Sequence, residues 1–302
     1  MRVAVVTRSG DAPGIEHLGS IGNEGPRRFD SYVSQSPRAA FSQVDGCGPD
    51  GSLAALLSDW SGINENHRQK HASVSQAFKA ERILAPVVDR AKILIAGGRR
   101  DPGPPALDKP ITAMLKFKSA FADPDSIVAL PDMTERWEVD AVLGVVVGKS
   151  AFRVSRDEAL DCIAGFTLIA DVTDRDRCEV EARTNNGLLG KNHRGVSSIG
   201  PCIWLPDTTS ADPGQIELLV NGDVKQHFTL ADLAWSAADV IATWSAAKLF
   251  PGDVIGLGPG ILRDGPGAMP PCVIKPGDRI EVRCGEIGSL RLAFASHYEG
   301  CA

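Results

Sequence analysis

The sequence predicts an α+β protein in which strands and loops predominate over helices. Glycine and proline account for 31 and 20 of the 302 residues, and long helical patterns are few. Asn221 and Gly222 stand between two alternating runs, which is the strongest short signal for a β-hairpin. Tight Pro-Gly-Asp turns precede two further apolar runs. These observations favour a fold dominated by β-sheet.

The N-terminal part is predicted to form a small α/β region over residues 1–82. Its opening, MRVAVVTRSG, is too short and too soon polar for a signal peptide and predicts a strand. Residues 20–50 are rich in Gly, Ser and Pro and predict loops. A short helix over 52–60, with Ser52 as a possible N-cap, and a polar helix containing His67 and His71 follow. Pro86 disfavours helix before it, so we place the start of the main domain, 83–302, near this point.

The main domain is predicted as strands interrupted by a few helices. A helix is expected to begin near Ser155 and end at Gly165, followed by a strand that ends at Asp171. Residues 230–248 have the spacing of an amphipathic helix. The other predicted strands lie near 92–98, 125–131 and 137–148, on both sides of the Asn-Gly turn, and over 252–258 and 277–294.

Composition excludes several classes of protein. The formal charge of -6 provides no basic surface for nucleic acid or an anionic membrane. No apolar run approaches the roughly 20 residues that cross a bilayer. The seven cysteines are scattered, odd in number and without a CxxC pair, which favours a reducing cytoplasm over a secreted disulfide framework.

Glu138 and Asp140 form a candidate cation site within the strand WEVDAVLGVVVGK. Residues two apart in a strand point to the same face, so the two carboxylates would lie side by side. Like charges repel unless a cation lies between them. Val142, the next position on that face, is apolar.

Seven spaced motifs indicate a family. Their order is KFKSAFADPDSIVALP, WEVDAVLGVVVGK, EALDCIAGFTLIADVTDRD, GLLGKNHRGVSSIGP, LLVNGDVKQ, LFPGDVIGLGP and IKPGDRIEVRCGEIGSL. In this order they resemble the fumarylacetoacetate hydrolase family. The resemblance implies a fumarylacetoacetase-like mixed β-roll with flanking helices, preceded by a small N-terminal domain, in a homodimer. It also implies an oxo-acid substrate and a divalent cation, Mg²⁺ or Mn²⁺, that stabilises an enolate.

The resemblance implies three metal positions, of which one is altered. Counted back from Gly148 without gaps, Asp140 matches the first carboxylate and Val142 the second. A two-residue insertion would instead match Glu138 and Asp140 to the pair, with strand parity unchanged. In either register Asp171 matches the third carboxylate.

Other site candidates come from the same matching. Lys191 matches a lysine near metal and substrate, and His193 beside it is a candidate base. Lys116 matches a further site lysine, although Lys118 is an equal rival. Arg175 matches an arginine that either forms a structural ion pair or binds substrate.

The usual water-activating residues are missing. Hydrolytic members of the family carry Asn-Tyr-x-x-His-x-x-Glu after the strand that here is KILIAGG, where this sequence has GGRRDPGPP. Arg99 and Arg100 cannot act as bases at neutral pH, but an arginine can bind a substrate carboxylate through two hydrogen bonds.

Three functions are therefore hypotheses. The first is a decarboxylase, tautomerase, lyase or cyclase acting on a 2-oxo or 1,3-dicarbonyl acid through a metal-stabilised enolate. The second is a C–C hydrolase of acylpyruvate or fumarylacetoacetate type, with His67, His71 or His193 as base. The third is a binding protein that kept the fold without catalysis.

Overall fold

The structure is a computed structural model, which describes residues 2–8, 17–22, 25–33, 76–77, 80–86, 91–97, 111–183, 188–206, 211–258 and 271–296. The first strands are β1 (Arg2–Arg8), β2 (His17–Gly22), β3 (Gly25–Val33), β4 (Gln76–Ala77), β5 (Ala80–Leu84), β6 (Ile93–Gly97), β7 (Ala113–Lys116), β8 (Phe121–Ala122) and β9 (Ser126–Leu130). The remaining strands are β10 (Trp137–Val147), β11 (Ile163–Asp174), β12 (Ser197–Trp204), β13 (Ile216–Val220), β14 (Asp223–Phe228), β15 (Val254–Gly258), β16 (Val273–Ile274), β17 (Arg279–Cys284) and β18 (Gly288–Ser296). The described helices are α1 (Arg156–Leu160), α2 (Arg175–Ala182) and α3 (Ala237–Trp244). None of them has the length and apolar character that a bilayer span requires.

The described strands form two mixed sheets. The large sheet has the order β4-β3-β2-β1-β12-β11-β10-β15-β6-β7, with β5, β8 and β16 pairing to β1, β12 and β10. The small sheet has the order β14-β13-β17-β18-β9. The longest ladder joins β10 to β11 antiparallel, and it runs without a register shift from Trp137 to Val146.

The large sheet curls until its β7 edge approaches β11. In the strand order β7 lies four places from β11, which in a flat sheet corresponds to about 19 Å. Yet Lys116 Nζ on β7 lies 2.7 Å from Asp171 Oδ1 on β11. The chain then continues to β8, which pairs in parallel with β12 on the other side of β11. The segment from β7 to β8 therefore closes the curl.

Successive residues of β10 face two different interiors. The odd-numbered residues from Trp137 to Val147 belong to an apolar cluster that includes Leu218 and Val282 of the small sheet. The even-numbered residues face the inside of the curl. Their layer is tight: a Cβ on Gly256 of β15 would lie 2.7 Å from Val142 Cγ1. We call the end of this interior that carries Glu138 and the partly exposed Asp140 the mouth; the deeper layers, from Val142 onward, are apolar.

Most of the predicted elements in the described part are confirmed. The first strand, the strands of the main domain and the Asn221–Gly222 hairpin form as expected. Ser155 caps α1, since its side chain accepts from the backbone N–H of Glu158 in a capping box. The 230–248 segment contains α3 with a short 3-10 turn on each side.

The predicted end of the helix that begins near Ser155 is wrong. Helix α1 ends at Leu160, and Gly165 lies inside β11. A Cβ at Gly165 would lie 2.1 Å from the carbonyl oxygen of Trp204, so this glycine permits close packing of β11 against β12 rather than ending a helix. Strand β11 also continues past Asp171 to Asp174.

The N-terminal strands join the large sheet. Strand β1 pairs with β12 as well as with β2 and β5, and the predicted boundary at 82/83 falls within β5. The division into two domains stays a prediction. The helices predicted over 52–60 and around His67 and His71 lie outside the described residues.

Candidate functional site

Asp140 and Asp171 form the centre of the candidate site. They are direct partners in the ladder between β10 and β11, so both side chains point into the curl. Neighbouring positions on this face are polar toward the mouth, where Glu138 pairs with Thr173, and apolar in the next layer, where Val142 pairs with Ile169. Two carboxylates opposite each other require positive charge nearby.

Lys116 and Lys191 supply that charge at Asp171. Lys116 Nζ lies 2.7 Å from Oδ1, and Lys191 Nζ lies 2.8 Å from Oδ2. The first contact is an ion pair rather than a well-angled hydrogen bond, because Oδ1 accepts no hydrogen bond from the described residues. Burial raises the pKa of Asp171, but the two ammonium charges outweigh burial and hold the pKa at about 2.

The two lysines lie in different surroundings. Lys116 is 1% exposed and also donates to Ser197 Oγ and to the carbonyl oxygen of Val172. Burial lowers the pKa of Lys116, against the attraction of Asp171. Burial also lowers the pKa of Lys191, but Asp171 and Asp140 outweigh it, so that the pKa of Lys191 is raised. The structure thereby distinguishes Lys116 from its rival Lys118, since Lys116 is the lysine that reaches Asp171.

The turn that carries Lys191 is held from two sides. On one side, Glu181 of α2 accepts from the backbone N–H groups of Leu189 and Gly190, each at 3.1 Å. On the other side, the Asn192 side chain accepts from Phe117 N at 2.6 Å and donates to the carbonyl oxygen of Leu115 at 3.0 Å. Because Leu115 and Phe117 flank Lys116, Asn192 joins the two lysine-bearing segments.

Asp140 is held by an amide rather than by a lysine. Its Oδ1 accepts from Gln226 Nε2 at 2.8 Å. Burial raises the pKa of Asp140, while the Lys191 charge and the Gln226 hydrogen bond act in the opposite direction. No described residue donates a hydrogen bond to Oδ2, and the side chain is partly exposed at the mouth.

Glu138 is engaged by Arg175. Arg175 donates to Glu138 Oε2 through both Nε, at 2.9 Å, and Nη2, at 2.8 Å. Glu138 is 3% exposed, so its charge is paired within the protein. The structure thus places Arg175 in the ion pair that the sequence left as one of two possibilities.

Val142 is buried at 2% exposure, beneath the carboxylates. The β10–β11 ladder has no two-residue insertion between Trp137 and Val146. A register shift follows between Val146 and Val147, just before Gly148. The choice between the two registers stays a prediction.

His193 lies on the other face of β11. Its Nε2 is 2.9 Å from Asp174 Oδ2, and its ring meets Trp137 edge-on at 5.3 Å between centroids. Asp174 pairs with Trp137, whose side chain belongs to the cluster outside the curl. The structure therefore brings Lys191 to Asp171 but turns His193 away from it. Arg99 and Arg100 lie outside the described residues.

The described side chains offer at most two carboxylates to a divalent cation. Among the described residues, no three His, Cys, Asp or Glu side chains gather as a metal site. Asp140 and Asp171 face each other, whereas Glu138 is held by Arg175. Two carboxylates suit Mg²⁺ or Mn²⁺ when water and substrate oxygens complete the shell.

Sequence reasoning missed the residues that hold the site together, namely Gln226, Asn192, Glu181 and Ser197. Each acts through a contact that spans the fold or a turn whose shape the sequence does not specify. Asn192 could have been identified as a candidate from its place next to Lys191 in the sequence.

Comparisons of the sequence and the fold with known proteins identify a family. The model of the fumarylacetoacetate (FAA) hydrolase C-terminal family matches residues 90–295. The oxaloacetate tautomerase FAHD2A, mitochondrial, of Bos taurus is 32% identical over 220 residues, covering 68% of this chain and 67% of that protein. The Xenopus laevis protein named oxaloacetate tautomerase fahd2 is 28% identical over 286 residues, covering 87% of this chain and 88% of that protein.

Solved structures show the same fold. Maleylpyruvate hydrolase from Sphingobium sp. SYK-6, in complex with manganese(II) ion and pyruvate, matches with a TM-score of 0.71 at 22% identity, covering 99% of this chain and 100% of that one. Fumarylacetoacetate hydrolase from Exiguobacterium antarcticum matches with a TM-score of 0.73 at 19% identity, covering 98% of this chain and 100% of that one. With a family model matched along most of its length and the site built on the matching strands, this chain belongs to the fumarylacetoacetate hydrolase family.

Proposed function

We propose that this chain is an enzyme that interconverts the keto and enol forms of a small 2-oxo acid through an enolate. The arrangement of Lys116 and Lys191 on Asp171, with Asp140 opposite, carries this proposal. It concentrates cationic donors at the mouth of an apolar interior, where a developing negative charge is stabilised most strongly. The name of the FAHD2A relatives, oxaloacetate tautomerase, supports the same reaction.

The reaction requires a proton to leave carbon while negative charge develops on oxygen. A solvent water or hydroxide at the mouth would take the proton from the carbon beside the carbonyl, while the C–H electron pair moves to the enolate oxygen. A solvent proton then adds to that oxygen or returns to carbon. Lys191, bound to Asp171 and Thr173 at the mouth, provides a fixed ammonium donor for such an anion. Asn192 and Glu181 hold Lys191 in place.

Asp140 and Asp171 would hold the Mg²⁺ or Mn²⁺ that the family implies. When bound, such a cation acts as a Lewis acid that lowers the energy of an enolate. Asp140 Oδ2, which accepts no hydrogen bond from the described residues, is the oxygen that we assign to it. Asp171 would contribute Oδ1, which lies 2.7 Å from Lys116 Nζ but accepts no hydrogen bond from the described residues, while its Oδ2 stays bound to Lys191.

Hydrolysis is the less favoured reaction. It requires an activated water, and the sequence has arginines where hydrolytic relatives have their His and Glu. The remaining candidate base in the described part, His193, faces Asp174 on the far side of β11.

We also propose a cytoplasmic homodimer, as the family resemblance and the cysteine pattern imply.

The test is an assay of the purified protein with Mg²⁺ or Mn²⁺ on two substrates. Oxaloacetate enol should convert to the keto form faster than with the metal alone, as followed by the loss of enol absorbance. An acylpyruvate should give no acid products above background. Lys191→Met should abolish the first activity, whereas Lys149→Met, an exposed lysine after β10, should leave it intact. Cleavage of the acylpyruvate without tautomerase activity would overturn the proposal in favour of a hydrolase.

A further inference from the structure

Gln226 connects the small sheet to the candidate site. It lies on β14, is 2% exposed, and makes two hydrogen bonds to β10. Its Nε2 donates to Asp140 Oδ1 at 2.8 Å, and its Oε1 accepts from the backbone N–H of Ala141 at 3.0 Å. An apolar side chain of similar size would fill the same space, but it would leave the buried Ala141 N–H and Asp140 Oδ1 without these partners.

A β-bulge turns Gln226 inward. In the β13–β14 hairpin, Leu219 pairs with Val224, but Leu218 pairs with Gln226, so Lys225 is an extra residue. Without that extra residue Leu218 would pair with Lys225, and Gln226 would pair with Glu217 on the outer face. Bulges re-aim side chains in this way next to functional sites. Lys225 and His227, on either side of Gln226, are exposed.

The amide of Gln226 occupies a gap in the ladder of β10. Strand β16 pairs with β10 at Trp137 and Glu138, and β15 pairs with it from Leu143 onward. Between these positions no described strand pairs with that edge, and the Ala141 N–H is satisfied by Gln226 Oε1. Because a backbone N–H can only donate, Oε1 must face Ala141 and the NH₂ group must face Asp140.

We propose that Gln226 is a positioning residue that orients Asp140 for cation binding. Its NH₂ group donates to Asp140 Oδ1. This hydrogen bond fixes the rotation of the carboxylate and leaves Asp140 Oδ2 for the cation. In the ungapped register, in which Val142 stands at one of the three metal positions, the site would depend on the pre-orientation of Asp140 and Asp171. Partners that orient a metal ligand typically raise the affinity for the metal by about 10- to 100-fold. The inference rests on the proposed function, in which Asp140 binds the cation.

The test is a double-mutant cycle on Mn²⁺ affinity without substrate. Free Mn²⁺ is measured by electron paramagnetic resonance for the wild type, Gln226→Met, Asp140→Ala and the double variant. Methionine keeps the volume of glutamine but neither donates to Asp140 nor accepts well from Ala141. We expect Gln226→Met to weaken binding by about 10- to 100-fold. In the Asp140→Ala background the same change should have less than about a twofold effect, because it acts through Asp140.

Controls separate positioning from folding. His227→Ala, the next residue on the exposed side of β14, should bind Mn²⁺ as the wild type does. Thermal unfolding is measured for each variant. If Gln226→Met melts too low to titrate, Gln226→Asn takes its place, since its shorter amide cannot reach both partners and should also weaken binding.

Each outcome decides the inference. Wild-type affinity in the Gln226 variant, or an equal loss with and without Asp140, would overturn the positioning role while leaving the proposed function in place. No Mn²⁺ binding by the wild type would overturn the metal part of the proposed function, and the positioning role with it. A loss confined to the Asp140-containing background is the result that the structure predicts.

Discussion

Asp140 and Asp171 are direct partners across the β10–β11 ladder, yet the protein holds them in different ways. Asp171 is fully buried between two lysines, and both of its oxygens lie within 2.8 Å of an ammonium nitrogen. Asp140 is held through one oxygen by the neutral amide of Gln226. Asp171 therefore binds the two lysines, whereas Asp140 keeps Oδ2 without a hydrogen bond from the described residues.

The acid stability of the protein should depend on Asp171. Its pKa of about 2 lies below the ordinary aspartate value of about 3.9. A depressed pKa stabilises the fold fully above about pH 4, and this contribution is lost as the pH falls through about 2. We expect about 2 to 3 kcal/mol from it. Urea unfolding across this pH range should show a steeper loss for the wild type than for Asp171→Asn; equal slopes would contradict the assignment.

Lys116→Met should destabilise the protein strongly. Removing one partner of a buried ion pair leaves the other charge less compensated, at a cost of about 3 kcal/mol. Urea unfolding at neutral pH measures the change. Lys118→Met is the matched control, because Lys118 is more exposed and lies in the next turn. An equal loss of stability in Lys118→Met would show that the ion pair with Asp171 is not the cause of the destabilisation.

Glu138→Gln should leave Mn²⁺ affinity within about twofold of the wild type, because Glu138 is buried and its Oε2 accepts two hydrogen bonds from Arg175. Asp140→Ala should weaken it by about tenfold or more. Calorimetric titration of Mn²⁺ measures both. If Glu138→Gln weakens binding as much as Asp140→Ala does, Glu138 is a ligand and the Arg175 pair opens when metal binds.

Val142→Glu should make the stability of the protein depend on metal. A third carboxylate at this buried position costs free energy when unpaired, and a cation shared with Asp140 would offset that cost. The melting temperature should therefore fall without metal and rise with added Mn²⁺ by more than it does in the wild type.

Val146→Glu is the control for this change. Val146 lies deeper on the same face of β10 and is also buried, so its glutamate should destabilise the protein without rescue by Mn²⁺. Equal rescue of both variants would mean that Mn²⁺ binds elsewhere.

Much of the fold was readable because its signals are local. The Asn221–Gly222 turn, the Ser155 cap and the alternation in the strands each act over a few residues. Gly165 misled the prediction because a glycine after a helical pattern resembles a helix end, whereas here it serves a contact with Trp204 in another strand.

The site was readable only in part, because its partners meet through the curl of the sheet. Alternation placed Glu138 and Asp140 on one face, but nothing local showed that Arg175 engages Glu138. Gln226 lies 86 residues from Asp140, and its inward direction depends on a bulge that the alternating pattern does not reveal. The choice between Lys116 and Lys118 likewise depends on the return of β7 to β11.

Formation of an enolate in the site is tested most directly by hydrogen–deuterium exchange. In deuterated buffer with Mn²⁺, the exchange of the C3 protons of a 2-oxo acid is followed by NMR for the wild type, Lys191→Met and Asp171→Asn. We expect exchange well above the metal-only rate for the wild type and a return to that rate in both variants. Exchange at the metal-only rate by wild-type protein that binds Mn²⁺ would contradict enolate formation in the site.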